Sequence, residues 1–339
     1  MTSARETARR MGGVMRTITL EEHFATPAFL DGPGRDLKEQ AEKFNNARAK
    51  KLIPELCDLG DKRIAAMDAA GIDMQIVSLT APGVEQLEKA DALAIVRDTN
   101  DFLAAAIKKN PKRIGGFAVL PTGEPDKAAQ ELERRVREQK FAGAVINGHH
   151  RGRYLDDKFF WPILESAEKL GVPIYLHPTK PPQPVIDASF GGFSPLVTEM
   201  FSGPGWGWHI ETAVHLIRLI LGGAFDRYPN LQIIIGHLGE GLAAMFRRVD
   251  IMAPEVTKLK RPISAYLRDN VHYTISGFNF PATFLALLLE LGGVERIMFS
   301  ADHPYQAMAD ARAFLMQLPV SAADRERIAH GNAEKLFGL

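Results

Sequence analysis

The stretch KLGVPIYLH (169–177) contains the unit from which the fold can be predicted. A helical segment ends at Gly171, an apolar run of strand character follows it, and the run ends in His177. A nearly continuous apolar strand is typical of a parallel sheet that is covered on both faces. The stretch therefore predicts an alternating α/β domain, with a histidine at the carboxyl end of one strand.

The same unit recurs along the chain. Strand-like runs, separated by segments of helical period, are found at 16–22, 73–80, 114–120, 141–148, 172–177, 231–237, 271–276 and 296–302. Eight strands alternating with helices in 339 residues predict a (β/α)8 barrel, the TIM barrel fold. A doubly wound open sheet is the alternative. Such a sheet usually has a Gly-rich phosphate loop after its first strand, and EEHFATP (21–27) is not one.

The chain is expected to form one domain. Residues 1–14 contain arginines but lack the apolar core of a secretion signal, and we interpret them as a disordered leader or as the result of an upstream start. Residues 15–339 are predicted to form the barrel. A segment rich in Pro, Gly and Phe (178–207) follows His177, and we expect this long loop insertion to overhang the barrel mouth.

Composition excludes several classes of partner. Forty-one basic and forty-one acidic side chains balance, so nothing indicates binding to nucleic acid or to an anionic membrane. The longest apolar stretches are too short or too interrupted to span a bilayer. The single cysteine, Cys57, rules out an intramolecular disulfide and fits a cytoplasmic protein.

Titratable side chains lie where four of the predicted strands end. Glu21 and His23 follow the first strand, His177 the fifth, His237 the sixth and Asp302 the eighth. In a barrel the carboxyl ends of all strands open on one face, and residues i and i+2 of a strand point the same way. Glu21 and His23 can therefore both face the axis, while Glu22 faces the helices or a neighbouring loop.

Each of these residues has a simpler interpretation when taken alone. Asp302 could be a turn or helix N-cap residue, and a lone histidine at a strand end is more often structural than a ligand. The coincidence at one barrel face favours a metal site. Imidazoles and carboxylates together suit Zn²⁺, Mn²⁺ or a similar divalent ion, and we expect one such ion per subunit.

The motifs EEHFATP (21–27), YLHP (175–178), GHLGEGL (236–242) and FSADHPY (299–305) together resemble the amidohydrolase superfamily. The resemblance covers the chain from residue 15 onward. It is most specific to the metal-dependent, non-oxidative decarboxylases of phenolic acids. Typical amidohydrolases have His-x-His on the first strand, whereas this chain has Glu21-x-His23, a variant similar to that of the decarboxylases.

The resemblance implies roles for individual residues. It implies metal ligation by Glu21, His23, His177 and Asp302. His237 would be a catalytic histidine beside the substrate, and Glu240 would orient it. Arg248 falls where relatives have an arginine that meets a substrate carboxylate or lines a subunit contact; a solvated helix face is equally consistent with its position. Relatives form dimers or tetramers, so a homodimer or homotetramer is expected.

The expected reaction is loss of CO₂ from a small hydroxylated aromatic acid. Because an aryl carbanion is very unstable, the ring carbon must be protonated before CO₂ departs, and we assign the proton donor role to Asp302. Hydrolysis of a lactone, amide or ester by the same ligands is the runner-up. A metal-binding module without catalysis is a third possibility, and the intact Asp302, His237 and Glu240 argue against it.

Side chains at the predicted rim could hold the aromatic ring. We predict substrate contacts for Phe24, Trp206 and Asn279, in addition to Arg248. Other aromatic candidates are Phe190, Phe193, Phe201, Trp208, Phe278 and Phe280, most of which are as consistent with packing as with substrate binding.

Overall fold

The computed structural model describes residues 15–44 and 47–339, so the predicted leader (1–14) lies outside the described residues. Eight parallel strands form one sheet in the order β1 to β8. Their bounds are β1 Ile18–Phe24, β2 Met74–Leu79, β3 Ile114–Val119, β4 Gly143–Asn147, β5 Ile174–His177, β6 Ile233–Ile235, β7 Val271–Thr274 and β8 Ile297–Met298. Each predicted strand is present, and most are shorter than the apolar run that predicted them.

Hydrogen bonds between β1 and the segment that directly follows β8 bring the sheet round into a barrel. Leu20 N donates to Phe299 O at 3.4 Å, and His23 N donates to His303 O at 2.7 Å. With helices between the strands, this arrangement confirms the predicted TIM barrel. All strand residues are buried, which explains why the strands read as continuous apolar runs rather than alternating ones.

Helices cover the outside of the barrel. The α-helices are Pro27–Asp31, Arg35–Phe44, Ala47–Leu56, Asp61–Ala70, Lys89–Lys109, Pro125–Gln139, Trp161–Leu170, Gln183–Ser189, Pro195–Ser202, Gly207–Leu221, Ala224–Arg227, Pro254–Thr257, Ile263–Asp269, Pro281–Leu291, Met308–Gln317, Ala322–Glu326 and Asn332–Phe337. Several of them end at a glycine with positive φ, as at Gly71, Gly171 and Gly292, where a side chain would be strained. In the described part of the chain, no helix has the length and apolarity that a membrane crossing requires.

The segment 178–207 differs from its predicted irregular form. It contains the helices Gln183–Ser189 and Pro195–Ser202, each of which has a proline in its first turn. Proline is well tolerated there because its missing N–H would have no helical partner anyway. The prolines that suggested a loop therefore mark helix starts, and the segment leads into the longer helix Gly207–Leu221.

Candidate functional site

The tips of β1 and β5 bring three predicted ligands together. One potential ligand atom each from Glu21, His23 and His177 lies within 4.8 Å of the other two. All three side chains are buried, with side-chain exposures of 0%, 1% and 8% respectively. Glu21 Oε1 lies 3.4 Å from His177 Nε2. A carboxylate and two imidazoles thus surround one point at the carboxyl end of the barrel.

An irregularity in β1 places Glu21. The β1–β2 register shifts between Leu20 and Glu22, and Glu21 has a φ of 63°. This left-handed conformation is uncommon for a non-glycine residue and is often found at functional sites. Gly236, after β6, leaves room for the carboxylate, because a Cβ at that position would lie within 3.0 Å of Glu21 Oε1, Oε2 and Cδ. The simple i, i+2 alternation used for the prediction is therefore incomplete at this point.

The two oxygens of Glu21 have different surroundings. Oε2 accepts hydrogen bonds from the hydroxyls of Tyr175, Thr274 and Ser276, with a distance of 3.2 Å from Thr274 Oγ1. Oε1 is buried and has no hydrogen-bond partner among the described residues. Three hydroxyls thus fix the carboxylate while the other oxygen stays available toward His177.

Asp302 completes the cluster from the loop that follows β8. Its Oδ1 lies 3.1 Å from His23 Nε2, and its side chain is 15% exposed. Like Glu21, Asp302 has a left-handed backbone conformation, with a φ of 64°. The structure thus brings all four predicted ligands to one place.

The charge states of the cluster fit a divalent cation. Burial lowers the pKa of His23 to about 4, against the opposing charge of Glu21, and burial together with His23 lowers the pKa of His177 to about 3. Both rings are therefore neutral at pH 7. Although burial opposes it, the charge of the neighbouring His237 holds the pKa of Glu21 below its ordinary value, so this carboxyl is ionised.

An unpartnered atom supports the same interpretation. Glu21 Oε1 is buried, lies 3.4 Å from His177 Nε2 and has no hydrogen-bond partner in the described part of the chain. Burying a polar atom without a partner costs free energy, so such atoms are uncommon outside functional sites. A carboxylate with neutral imidazoles is a suitable donor set for Zn²⁺ or Mn²⁺. The residues present therefore fit a divalent metal ion.

His237 and Glu240 form a hydrogen-bonded pair beside this cluster. His237 Nδ1 lies 2.8 Å from Glu240 Oε1 and 3.7 Å from Glu21 Oε1. His237, Leu238 and Glu240 all have positive φ, so this turn folds Glu240 back toward the histidine, as the sequence predicted. Burial opposes the charge of His237, but Glu240 and Glu21 raise its pKa to about 10, and the ring is protonated at pH 7.

His209 joins this pair and was not predicted from the sequence. Its Nδ1 lies 2.6 Å from Glu240 Oε2, and Trp208 Nε1 donates to its Nε2 at 3.0 Å. Because the indole occupies Nε2, the proton of a neutral His209 is on Nδ1 and is donated to Glu240. Burial raises the pKa of Glu240, but His237 and His209 lower it overall to about 2. Glu240 is thus an anion between two histidines.

Not all of the predicted substrate contacts lie beside the cluster of predicted metal ligands. Phe24 is fully buried and stacks on Phe102 with ring centroids 6.1 Å apart, so the prediction that it lines the mouth is wrong. Its side chain packs in the layer between strand and helix. Trp206 is 55% exposed just before the helix Gly207–Leu221, and Arg248 is exposed. The structure brings neither into contact with the metal ligands.

Asn279 and its neighbours lie nearer to the site. The Oδ1 atom of Asn279 is buried without a partner among the described residues. The adjacent Phe278 packs its ring against His237 and His209, with centroid distances of 5.0 Å and 5.1 Å. Phe278 is therefore the aromatic candidate that the structure places beside the histidine pair.

The roles of Tyr175, Ser276 and His209 could not be predicted from sequence, but one signal was available. Tyr175 precedes His177 by two residues on β5, so its side chain points the same way along the barrel interior. A hydroxyl in an otherwise apolar strand indicates a buried polar partner. Ser276 and His209 carry no comparable local signal, because their contacts depend on tertiary packing.

Comparison with known proteins places the chain in a family. The family model described as amidohydrolase matches residues 53–339. The γ-resorcylate decarboxylase of Polaromonas sp. (strain JS666) is 38% identical over 334 residues, covering 95% of this chain and 98% of that protein.

Solved structures agree with this assignment. A dihydroxybenzoic acid decarboxylase from Polaromonas sp. JS666, with bound manganese and the inhibitor 2-nitroresorcinol, is 37% identical, with a TM-score of 0.84 over 96% of this chain and 98% of that one. The 5-carboxyvanillate decarboxylase of Novosphingobium aromaticivorans, with manganese and 4-hydroxy-3-methoxy-5-nitrobenzoic acid, is 35% identical, with a TM-score of 0.87 over 96% of each chain. The chain therefore belongs to the amidohydrolase family, and over nearly its whole length it is similar to metal-containing decarboxylases of hydroxylated aromatic acids.

Proposed function

We propose that this protein is a metal-dependent carboxy-lyase that removes CO₂ from a small hydroxylated aromatic acid without oxidation. The observation that carries the proposal is the cluster of Glu21, His23, His177 and Asp302 beside the hydrogen-bonded pair of His237 and Glu240. Relatives that align along 95% of the chain are decarboxylases, so the hydrolase alternative is not needed.

Glu21, His23, His177 and Asp302 would hold one divalent ion. When bound, the ion would supply a Lewis acid that stabilises negative charge on the oxygens of the substrate. We infer Mn²⁺ rather than Zn²⁺, because the solved decarboxylases contain manganese and a donor set with two carboxylates suits it. The negative charge of Glu21 lowers the net positive charge of the site. This is compatible with a reaction whose leaving group, CO₂, is neutral.

Asp302 is the proposed proton donor. A substrate that binds as its phenolate would leave the phenol proton on the Asp302 carboxylate. Transfer of that proton to the ring carbon that bears the carboxylate gives a dearomatised intermediate, which the phenol oxygen stabilises. The C–C bond then breaks as its electrons return to the ring, and the product phenolate takes a proton from water. Asp302 is the predicted ligand with the greatest side-chain exposure, 15%, so it can meet a substrate that enters from the mouth. Its contact with His23 orients the carboxyl group.

His237 is proposed to bind the leaving carboxylate. Its Nδ1 faces Glu240, so its other ring nitrogen is directed away from that partner and can donate to an anionic substrate. His209, held by Trp208, keeps Glu240 in place. Phe278 packs against both histidines and offers an apolar surface to the flat ring.

We also propose a homo-oligomer. Large apolar side chains are exposed on and around the helices Pro195–Ser202 and Gly207–Leu221, namely Phe193, Leu196, Val197, Met200, Trp206, Ile210 and Val214. Grouped apolar exposure of this kind marks protein interfaces. Trp206, predicted as a substrate contact, fits such an interface better. Sedimentation of the purified protein would test this proposal, and a monomer at micromolar concentration would contradict it.

The decarboxylase proposal can be tested with a matched panel of acids. The Mn²⁺-loaded protein is incubated with 2,6-dihydroxybenzoate and 2-hydroxybenzoate, with benzoate and 2-methoxybenzoate as controls without a free ortho hydroxyl. We expect CO₂ release from hydroxylated acids only. In D₂O, the product should carry one deuterium at the carbon that lost the carboxylate. Absence of turnover across a wider panel of hydroxybenzoates, together with hydrolysis of lactones, would contradict the proposal.

A further inference from the structure

Glu22 lies next to the ligand Glu21 but points to a different partner. The register shift in β1 separates the two side chains, so Glu21 faces the axis while Glu22 reaches the loop after β8. Glu22 is fully buried. Its role is therefore set by the few groups that surround it.

The carboxylate of Glu22 holds the backbone on both sides of Asp302. Ala301 N donates to Glu22 Oε1 at 2.8 Å, and His303 N donates to Glu22 Oε2 at 3.2 Å. These amides flank Asp302, whose φ of 64° is unfavourable for a residue with a side chain. Such a conformation persists only when the surrounding structure fixes it. Glu22 supplies two of the contacts that do so.

A buried arginine supports this clamp. Arg63 is 2% exposed and donates to the backbone oxygen of His23 at 2.6 Å and to Gln75 Oε1 at 3.2 Å. Gln75 Nε2 in turn donates to Glu22 Oε2 at 3.1 Å. Because Arg63 fixes the orientation of the Gln75 amide, the network Arg63–Gln75–Glu22 connects the backbone of one predicted ligand to the backbone beside another.

We propose that Glu22, supported by Gln75 and Arg63, is a positioning residue that sets the geometry of Asp302 against His23. Glu22 lies outside the proposed ligand set, because both of its oxygens accept from the backbone beside Asp302 and from Gln75. This inference rests on the proposed function for its effect on catalysis, but its effect on metal binding does not depend on the substrate. Removal of a group that orients a metal ligand without binding the metal typically changes metal affinity or activity 10- to 100-fold.

The test compares Glu22→Gln with Asp250→Asn. The first change keeps the shape but places an NH₂ group where one of the two amides requires an acceptor. Asp250 accepts from Ser264 N at 2.9 Å and from Ser264 Oγ, so it is a matched carboxylate that holds a backbone amide at the start of a helix. Both variants should lose some thermal stability, whereas only Glu22→Gln should change the site.

Three quantities are measured for the parent and each variant: the Mn²⁺ dissociation constant, the EPR spectrum of bound Mn²⁺, and kcat and KM of the Mn²⁺-saturated protein. Glu22→Gln should weaken Mn²⁺ binding about tenfold or more, alter the EPR spectrum and lower kcat with KM changed less than about threefold. Asp250→Asn should match the parent in all of them. Gln75→Met removes only the hydrogen bond that Gln75 donates to Glu22, so it should change the same quantities in the same direction by less. This variant replaces Glu22→Gln in the test if Glu22→Gln does not fold.

A folded Glu22→Gln protein with parental Mn²⁺ affinity, EPR spectrum and kcat would overturn the inference, even if its melting temperature fell, because that pattern describes a purely structural residue. A changed Mn²⁺ affinity and spectrum in a protein whose parent decarboxylates no aromatic acid would uphold the positioning role and reject the proposed function. The two failures are thus distinguishable.

Discussion

Two clusters of charged side chains, one at the barrel mouth and one in the helix layer, differ in whether their buried polar atoms have hydrogen-bond partners. Arg135, on the helix Pro125–Gln139, is fully buried, and each of its three guanidinium nitrogens donates to a partner: Glu131 at 2.6 Å, Gln139 at 2.7 Å and Asp101 at 2.7 Å. At the mouth, by contrast, Glu21 Oε1 and the Nδ1 atoms of His23 and His177 have no such partner in the described residues.

This difference distinguishes a charged cluster that stabilises the fold from one that can bind a ligand. A buried charge whose hydrogen bonds are all made within the chain stabilises the fold and has no capacity left for a ligand. An unpartnered buried carboxylate oxygen costs stability, and Glu21 Oε1, which lies 3.4 Å from His177 Nε2, can still bind a ligand. The comparison predicts that changes at the mouth reduce activity more than stability, and that changes at Arg135 do the reverse.

The largest effect is expected for Asp302→Asn. This change keeps the size of the side chain but removes the proton that the mechanism transfers, and such a group is worth about 10² to 10⁴ in rate. We expect kcat to fall by at least that range with the melting temperature nearly unchanged, measured as CO₂ release by the Mn²⁺-loaded variant. A rate within about threefold of the parent would remove Asp302 from the proton transfer.

A change in pH dependence is expected for Glu240→Gln. Glu240 raises the pKa of His237 against the effect of burial, so activity that needs the imidazolium is kept at neutral pH and declines at alkaline pH. Without the Glu240 charge, that pKa drops, and the alkaline decline of kcat/KM should move to lower pH. Profiles between pH 6 and 10.5 would show the shift, together with about a tenfold lower kcat at neutral pH. If the alkaline decline of kcat/KM stayed at the same pH in the variant, His237 would not be the titrating group.

The smallest effect on activity is expected for Arg135→Met. Loss of the buried guanidinium removes its hydrogen bonds to Glu131 and Asp101. Arg134 and Asn100 still donate to Glu131 and Asp101 is exposed, so we expect a cost of about 1–3 kcal/mol in the free energy of unfolding. Per folded molecule, kcat should equal that of the parent. Denaturant unfolding and CO₂ release measure the two quantities.

A neighbour on the same helix provides the control for this change. Arg137→Met removes an exposed pair with Glu133 at 3.0 Å and should cost less than about 0.5 kcal/mol. If Arg135→Met lowered kcat per folded molecule while Arg137→Met did not, the separation of the two clusters would be contradicted.

Much of the fold was predictable because parallel strands buried on both faces give apolar runs that stand out in the sequence. The ligand cluster was predictable because barrel topology alone makes strand ends converge, as for Glu21 and His177. The segment 178–207 was less predictable, because proline suits both a loop and the first turn of a helix.

The partners of the ligands were the least predictable part of the site. His209 lies on a helix after the insertion, and only tertiary packing brings it within 2.6 Å of Glu240. Phe24 is the last residue of β1 and was expected at the rim, but its side chain alternates away from the axis and packs against Phe102. Such distinctions depend on local register, which the β1 irregularity changes.

The central claim is that Glu21, His23, His177 and Asp302 form one divalent metal site. Its most direct test is equilibrium dialysis with Mn²⁺ followed by elemental analysis of the parent and of Glu21→Ala and His177→Ala. The account predicts one ion per chain in the parent and loss of that ion in both folded variants. A folded parent that binds no divalent ion, or variants that retain the ion with unchanged affinity, would contradict it.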